Sequence, residues 1–356
     1  MPHWFRSTCC PLLLVLAVAA VQAAPGLAAP HVAGVQVGGV QAGPAGPLSR
    51  SWVAPEARWV FHVDMQRLHH STLLSEMRAR GDSFSPVWRL MANFQAETGL
   101  DPAADLISLT LYGSDYRQRE TVTLLHTSER LDSALTAMLR ELPPGVQHDI
   151  REVDELRVHE LRYTSGQRNF FVIRTPTDAP QTRVAVFASS ATGAVRAGRI
   201  LDGSLPSHAT EPQPILPIDA LEGAMMYLSC VDMERMDAGG HGPRSTFLKH
   251  AQEMMIEFRE HPGRGVGDGS TMQSGLRAVI RTADAGHAAD LAELMTGSLA
   301  AARLRYQGNP ESPELAMIRA VRVETEDRIV RLRYRQDSVE LVAALADMLS
   351  QLHDSP

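Results

Sequence analysis

Lysine is almost missing from this chain of 356 residues: among its 34 basic residues Lys249 is the single lysine, and all the others are arginine. A Ser-Lys dyad is therefore excluded everywhere but at Lys249, and no Gly-x-Ser-x-Gly elbow offers a serine nucleophile of the other kind. Cysteine is nearly as scarce, with Cys9, Cys10 and Cys230 as the 3 present. The first two fall in the leading apolar segment, so a processed chain keeps Cys230 alone and has no intramolecular disulfide. There is no His-Glu-x-x-His and no pair of histidines one helical turn apart on a clear helix, although 14 histidines are scattered along the chain, including His69-His70. Positive charge is not in excess: a net charge of −7 and a pI near 6.1 argue against nucleic acid as a partner. The arginine bias reads as a GC-rich coding preference, not as selection for bidentate anion recognition.

No apolar run reaches the ~20 residues of a membrane span. The first one, Pro11 to Val21, follows a short polar stretch carrying Arg6 and precedes Val21-Gln22-Ala23, which together read as a secretory signal over residues 1–23. The expected location is secreted or periplasmic, with an uncleaved anchor as the alternative. Cys9 and Cys10 stand at the front of the apolar run instead of behind it, so no lipid anchor is expected. Residues 24–50 are Ala, Gly, Pro, Val and Gln without period, which predicts a disordered leader.

The most informative feature is a repeat. Trp59 to Leu68, WVFHVDMQRL, returns as Tyr227 to Met236, YLSCVDMERM, with Val63, Asp64, Met65 and Arg67 matched in order by Val231, Asp232, Met233 and Arg235. Val184, Val186 and Thr192 likewise match Val330, Leu332 and Ser338, at a shorter offset. This predicts two diverged tandem units, 52–203 and 220–353, joined by a proline-rich linker over 204–219. Each opens on a strand that an aspartate closes.

Within unit one, helical spacing recurs through Leu73, Leu74, Met77, Trp88, Met91 and Phe94, and apolar alternation predicts a hairpin of Leu106–Tyr112 with Thr121–His126. A helix with Leu131, Leu135, Met138 and Leu139 on one face follows, with Ser128 as its cap. Strands are expected at 158–163, 170–174 and 183–188, then a helix over 192–201. In unit two, Phe247, Leu248, Ala251, Met254, Met255 and Phe258 predict an amphipathic helix from Ser245. The remainder reads as a strand over 276–281, a helix over 285–304, strands over 317–323 and 328–334, and a final helix over 338–352. The fold class expected is α+β: mainly antiparallel sheet with helices packed on one face.

Asp64 and Asp232 are the binding candidates, because a converging carboxylate pair can share a proton or hold a divalent cation. Against this, each aspartate ends a strand and can cap the following turn. The loop Gly263 to Gly269 has neither the spacing nor the strand-before-helix context of a phosphate loop. Arg80-Gly81-Asp82 spells an adhesion tripeptide, a triplet that arginine-rich composition produces by chance. Cys230 reads as an inert buried thiol, and the methionines at 225, 226, 233, 254 and 255 as core filler in place of a binding surface.

The opening strand, Ala57-Arg58-Trp59-Val60-x-His62-Val63-Asp64, behind a signal and a low-complexity leader, resembles secreted proteins of unassigned function from planctomycete-type bacteria. That resemblance implies compartment and an α+β body and carries no catalytic residue. The expectation is an exported non-catalytic protein that binds another envelope protein or polymer, or serves a structural role, with no cofactor, no metal, no nucleic acid and no membrane span after cleavage. The alternatives are an exported hydrolase with a site between the units, and a carrier of a small apolar ligand.

Overall fold

A computed structural model describes residues 46, 48–116, 121–142, 144–216, 218, 223–233, 250–263 and 271–353. The signal segment, most of the leader, Lys249 and the glycine loop beyond Gly263 lie outside the described residues.

The N-terminal half contains β1 (Trp59–Asp64), α1 (Met65–His69), α2 (Thr72–Ala79), α3 (Ser85–Thr98), β2 (Leu106–Gly113), β3 (Thr121–Ser128), α4 (Leu131–Arg140), β4 (Gln147–Val153), β5 (Leu156–Arg162), β6 (Arg168–Arg174), β7 (Thr182–Ala188) and α5 (Ala191–Leu201). The C-terminal half contains β8 (Met226–Val231), β9 (Ala251–Pro262), β10 (Met272–Thr282), α6 (Ala285–Arg305), α7 (Pro313–Ala320), β11 (Arg322–Glu326), β12 (Ile329–Asp337) and α8 (Ser338–His353). All strands join one 12-stranded sheet in the order β11-β12-β10-β9-β8-β1-β2-β3-β7-β6-β5-β4, antiparallel at every pairing. The halves meet edge to edge where β1 pairs with β8, Trp59 opposite Cys230 and Val63 opposite Met226. Among the described residues no helix is long and apolar enough to cross a membrane.

Helices do not keep to one face, which corrects the sequence expectation. In β7 the consecutive residues Val184, Ala185 and Val186 are all buried, which requires cover on both sides. On one face Val184 and Val186 pack with Val172 and Leu124 against Val195, Ile200 and Leu201 of α5. On the other, Ala185 packs with Phe94 of α3 and Leu131 of α4. In the C-terminal half the three helices gather on this second face: Leu291 of α6 meets Ile280 and Val330, and Leu341 and Leu345 of α8 meet Phe258 and Tyr334 with Met317 of α7 nearby.

Other corrections follow from competition between periodicities. Residues 251–262 form a strand, not a helix. Met254, Ile256 and Phe258 alternate with Glu253, Glu257 and Arg259, and this period of two prevails because β8 and β10 supply backbone partners along both edges. Met317 lies in α7, whose Ser312 cap accepts from Leu315 N at 3.1 Å, and the strand begins only at Arg322. The edge strand β4 escapes notice because Gln-His-Asp-Ile-Arg-Glu-Val is nearly all polar; it turns into β5 through Asp154 and Glu155, at φ 49° and 68°, the left-handed pair of a tight hairpin. Ser128 does not cap α4; its hydroxyl donates to Asp105 at 2.8 Å, whereas Ser190, not Thr192, caps α5.

The proline-rich segment is no free tether. Leu216 and Ile218 are buried against α5 and the sheet, and His208 is held by Val53 O at its own backbone N–H and by Arg50 Nε at its ring. The chain before Trp52 also packs: Gly46 O lies 3.1 Å from His62 Nε2. These two segments complete the cover over the N-terminal half.

Candidate functional site

Asp64 is buried and caps α1, accepting from Arg67 N at 2.9 Å with Arg67 Nε 3.5 Å away. Asp232 is half exposed, sits at φ 52° just past β8 and pairs with Arg58. Because β1 and β8 run antiparallel, with Asp64 N bonded to Met225 O and Val231 N to Arg58 O, the two aspartates stand at opposite ends of the strand pair. The extended run between those ends is about 20 Å long. They do not converge, so they share neither a proton nor a cation.

A second polar group was not legible in the sequence. Asp64, Ser108 and His126 oppose one another on β1, β2 and β3, with His62 and Thr110 in the next row. These residue types suit acyl transfer, but their bonds run elsewhere. Asp64 serves Arg67, His126 Nε2 pairs with Thr182 Oγ1 at 2.8 Å, and His62 Nδ1 pairs with Thr110 Oγ1 at 2.8 Å. Burial holds both imidazoles down to about 4, and the row is closed over, with Trp52 edge-on to His126. Both rings are buried beneath that cover, so neither is presented to a substrate, and His126 Nδ1 is left without a hydrogen-bond partner among the described residues.

Cys230 is equally withdrawn: its thiol donates to Met254 O at 3.7 Å, and burial pushes its pKa up to about 12. Met225, Met226 and Met233 are core residues.

The accessible feature is the face of the C-terminal half that no described element covers. The cover over the N-terminal half reaches Tyr227, Val231 and Met255 and stops there. Beyond it, alternate residues of four strands point the same way. On β9 these include Glu253, Glu257 and Arg259; on β10, Arg277 and Arg281; on β12, Arg331, Arg333 and Arg335; on β11, Arg322, Glu324 and Glu326. Asp337 shares the face but accepts from Val339 N at 2.9 Å in the first turn of α8. Seven arginines thus stand against five carboxylates, while the whole chain has 34 basic and 41 acidic residues, so this face reverses the sign of the protein.

Glu257 is buried between Arg259 at 2.7 Å and Arg277 at 3.7 Å, Glu253 takes Arg281 at 2.9 Å, and Glu324 takes Arg333 at 3.6 Å. One row departs from alternation: Arg277 lies opposite Arg333, and Arg333 opposite Arg322. Like charges directly opposed across strands destabilise a sheet by roughly 0.2–1 kcal/mol per pair. In sequence the signal was the Arg331-x-Arg333-x-Arg335 alternation, which marks a strand; the arginines of the other strands become neighbours only through pairing.

Among the described residues no group of three or more His, Cys, Asp or Glu is arranged to hold a metal ion. Comparison of the chain with protein-family models, with curated proteins and with solved structures finds no match.

Proposed function

We propose that the chain is an exported, non-catalytic binding protein of the cell envelope and that the uncovered face of β9, β10, β12 and β11 is its working surface. The observation that carries this reading is the contrast between two halves of one sheet. Helices and loops pack on both faces of β1, β2, β3 and β7 in the first half, whereas in the second half no described element covers a face rich in charged side chains, with Arg277 and Arg333 about half exposed. Export is inferred from the signal-like start, Arg6 followed by Pro11 to Val21 and Val21-Gln22-Ala23.

We read the halves as diverged copies of one unit, with the N-terminal copy elaborated by α3, β4 and β5. This is supported by the pairing of the two strands that carry Val-Asp-Met: Val60 lies opposite Ser229 and Phe61 opposite Leu228, pairs that the repeat offset exchanges. It is supported also by strand order, since β1-β2-β3-β7 and β8-β9-β10-β12 run outward from the junction alike.

The test is affinity capture from the native envelope with the full chain and with an Arg331→Glu, Arg333→Glu variant. The reading expects the variant to lose the partner that the parent retains, and identical capture by both proteins sinks it.

A further inference from the structure

We propose that the arginine cluster of Arg259, Arg277, Arg333 and Arg335 around Gly275 binds the anionic groups of a linear acidic polysaccharide. The inference rests on the reading of this face as a binding surface and adds the chemical class of its ligand. Gly275 lies between Arg259 on β9 and Arg335 on β12 in one cross-strand row, and Arg277 and Arg333 oppose each other in the next. Gly275 itself is buried, with the His261 ring against it: an added Cβ would stand 3.5 Å from that ring and 3.6 Å from Tyr334 O, so the exposed feature is the surrounding arginines, Arg277, Arg333 and Arg335 above all.

Charge is left over inside this arginine cluster. Among the described residues Glu257 is the one carboxylate held inside it, and Arg259 and Arg277 share it. Arg333 reaches Glu324 only at the outer edge, at 3.6 Å, and Arg335 makes no ion pair among the described residues. The same field acts on His261, whose ring packs against Gly275 and which burial and then Arg259 and Arg335 hold below its usual pKa. Guanidinium forks suit carboxylate or sulfate oxyanions, and the negative charge of a bound anion offsets the repulsion of the opposed Arg277–Arg333 pair.

The polymer class follows from what else the face presents. Neighbouring rows lie about 7 Å apart along a strand and neighbouring strands about 4.8 Å apart, so cations recur in two dimensions across the strands. Tyr227 and Tyr334 are both buried, so among the described residues the four strands present no exposed Phe, Tyr or Trp on this face and only the half-buried His261 ring, short of a stacking platform for successive nucleic-acid bases. Met255, Val279 and Ile329, the apolar residues that these strands place on the face, are partly covered, so among the described residues no large exposed apolar side chain stands there for insertion among lipids. A chain of net charge −7 repels a duplex carrying one charge per ~1.7 Å, and tolerates a polymer with one charge per sugar.

The experiment measures binding of the full chain to polygalacturonate by titration calorimetry at low and raised salt, with duplex DNA and phosphatidylglycerol vesicles as rival ligands. Saturable, salt-sensitive binding to polygalacturonate is expected, weakened at least tenfold by the Arg333→Gln, Arg335→Gln double variant and unchanged by Arg305→Gln on α6. Thermal unfolding identifies a misfolded double variant, in which case Arg335→Gln alone decides at an expected loss of threefold or more. Absence of polygalacturonate binding, equal binding by the variants, or tighter binding to DNA or vesicles overturns the proposal. If envelope capture still depends on Arg331 and Arg333 while polygalacturonate does not bind, the ligand class fails and the binding-surface reading stands.

Discussion

Glu260 on β9 ties the two halves together, and its removal has a calculable cost. Its carboxylate accepts from Thr72 N at 2.9 Å and Leu73 N at 2.7 Å, the first N–H groups of α2 in the other half, and from Ser338 Oγ at 3.2 Å at the start of α8. Ser71 takes the next donor, Leu74 N, at 3.1 Å, so the first turn of α2 is fully satisfied from two sources. Truncating a helix cap typically costs about 1 kcal/mol, and a carboxylate at a helix N-terminus adds about 0.3–1 kcal/mol from the dipole. With two donors orphaned, Glu260→Ala is expected to lower the unfolding free energy by about 2 kcal/mol. Glu260→Gln, which keeps one acceptor and loses the charge, should cost about 1 kcal/mol. Urea denaturation followed by tryptophan fluorescence reads both values. Because Ser71 serves a different N–H, Ser71→Ala should add to Glu260→Ala, each with its own loss. An alanine variant within ~0.5 kcal/mol of the parent, below the usual range for a lost cap, refutes the argument that this carboxylate holds the halves together.

Phe171, fully buried between His159 and Phe187, should cost about 3–5 kcal/mol on substitution by alanine, read by the same denaturation. Acid should destabilise the fold in a window set by His62 and His126: unfolded imidazoles titrate near 6.5 and the folded ones near 4, so the unfolded state takes up protons first and stability falls as pH drops across that interval. Replacing His62 by Gln should flatten the fall, and an unchanged pH profile removes His62 as its source. Glu160 acts lower: Arg162 and Arg151 hold its carboxyl below the usual 4.5, so its stabilisation is complete above that value and is lost as pH falls further, a loss that Glu160→Gln should abolish. Cys230 should ignore a thiol reagent at pH 8 in the native protein and react fully once urea unfolds it; rapid native labelling contradicts its burial.

Sequence alone determined what rests on near neighbours. Alternation along Leu106–Tyr112 and Arg328–Tyr334 marked strands, the face through Leu131, Leu135 and Met138 marked a helix, and Asp64 was legible as the residue that ends β1 and caps the turn. Burial of Cys230 followed from its place in an apolar strand. Only tertiary structure decided the fate of Ala251–Pro262, because its apolar residues satisfy helical and strand spacing alike and the choice falls to the backbone partners on β8 and β10. It also separated Asp64 from Asp232, since antiparallel pairing of two like strands sends their equivalent ends apart. The arginine ring belongs to the same class. Arg259, Arg277 and Arg333 lie far apart in the chain, and register, a property of pairs of strands and not of any one of them, sets them around Gly275.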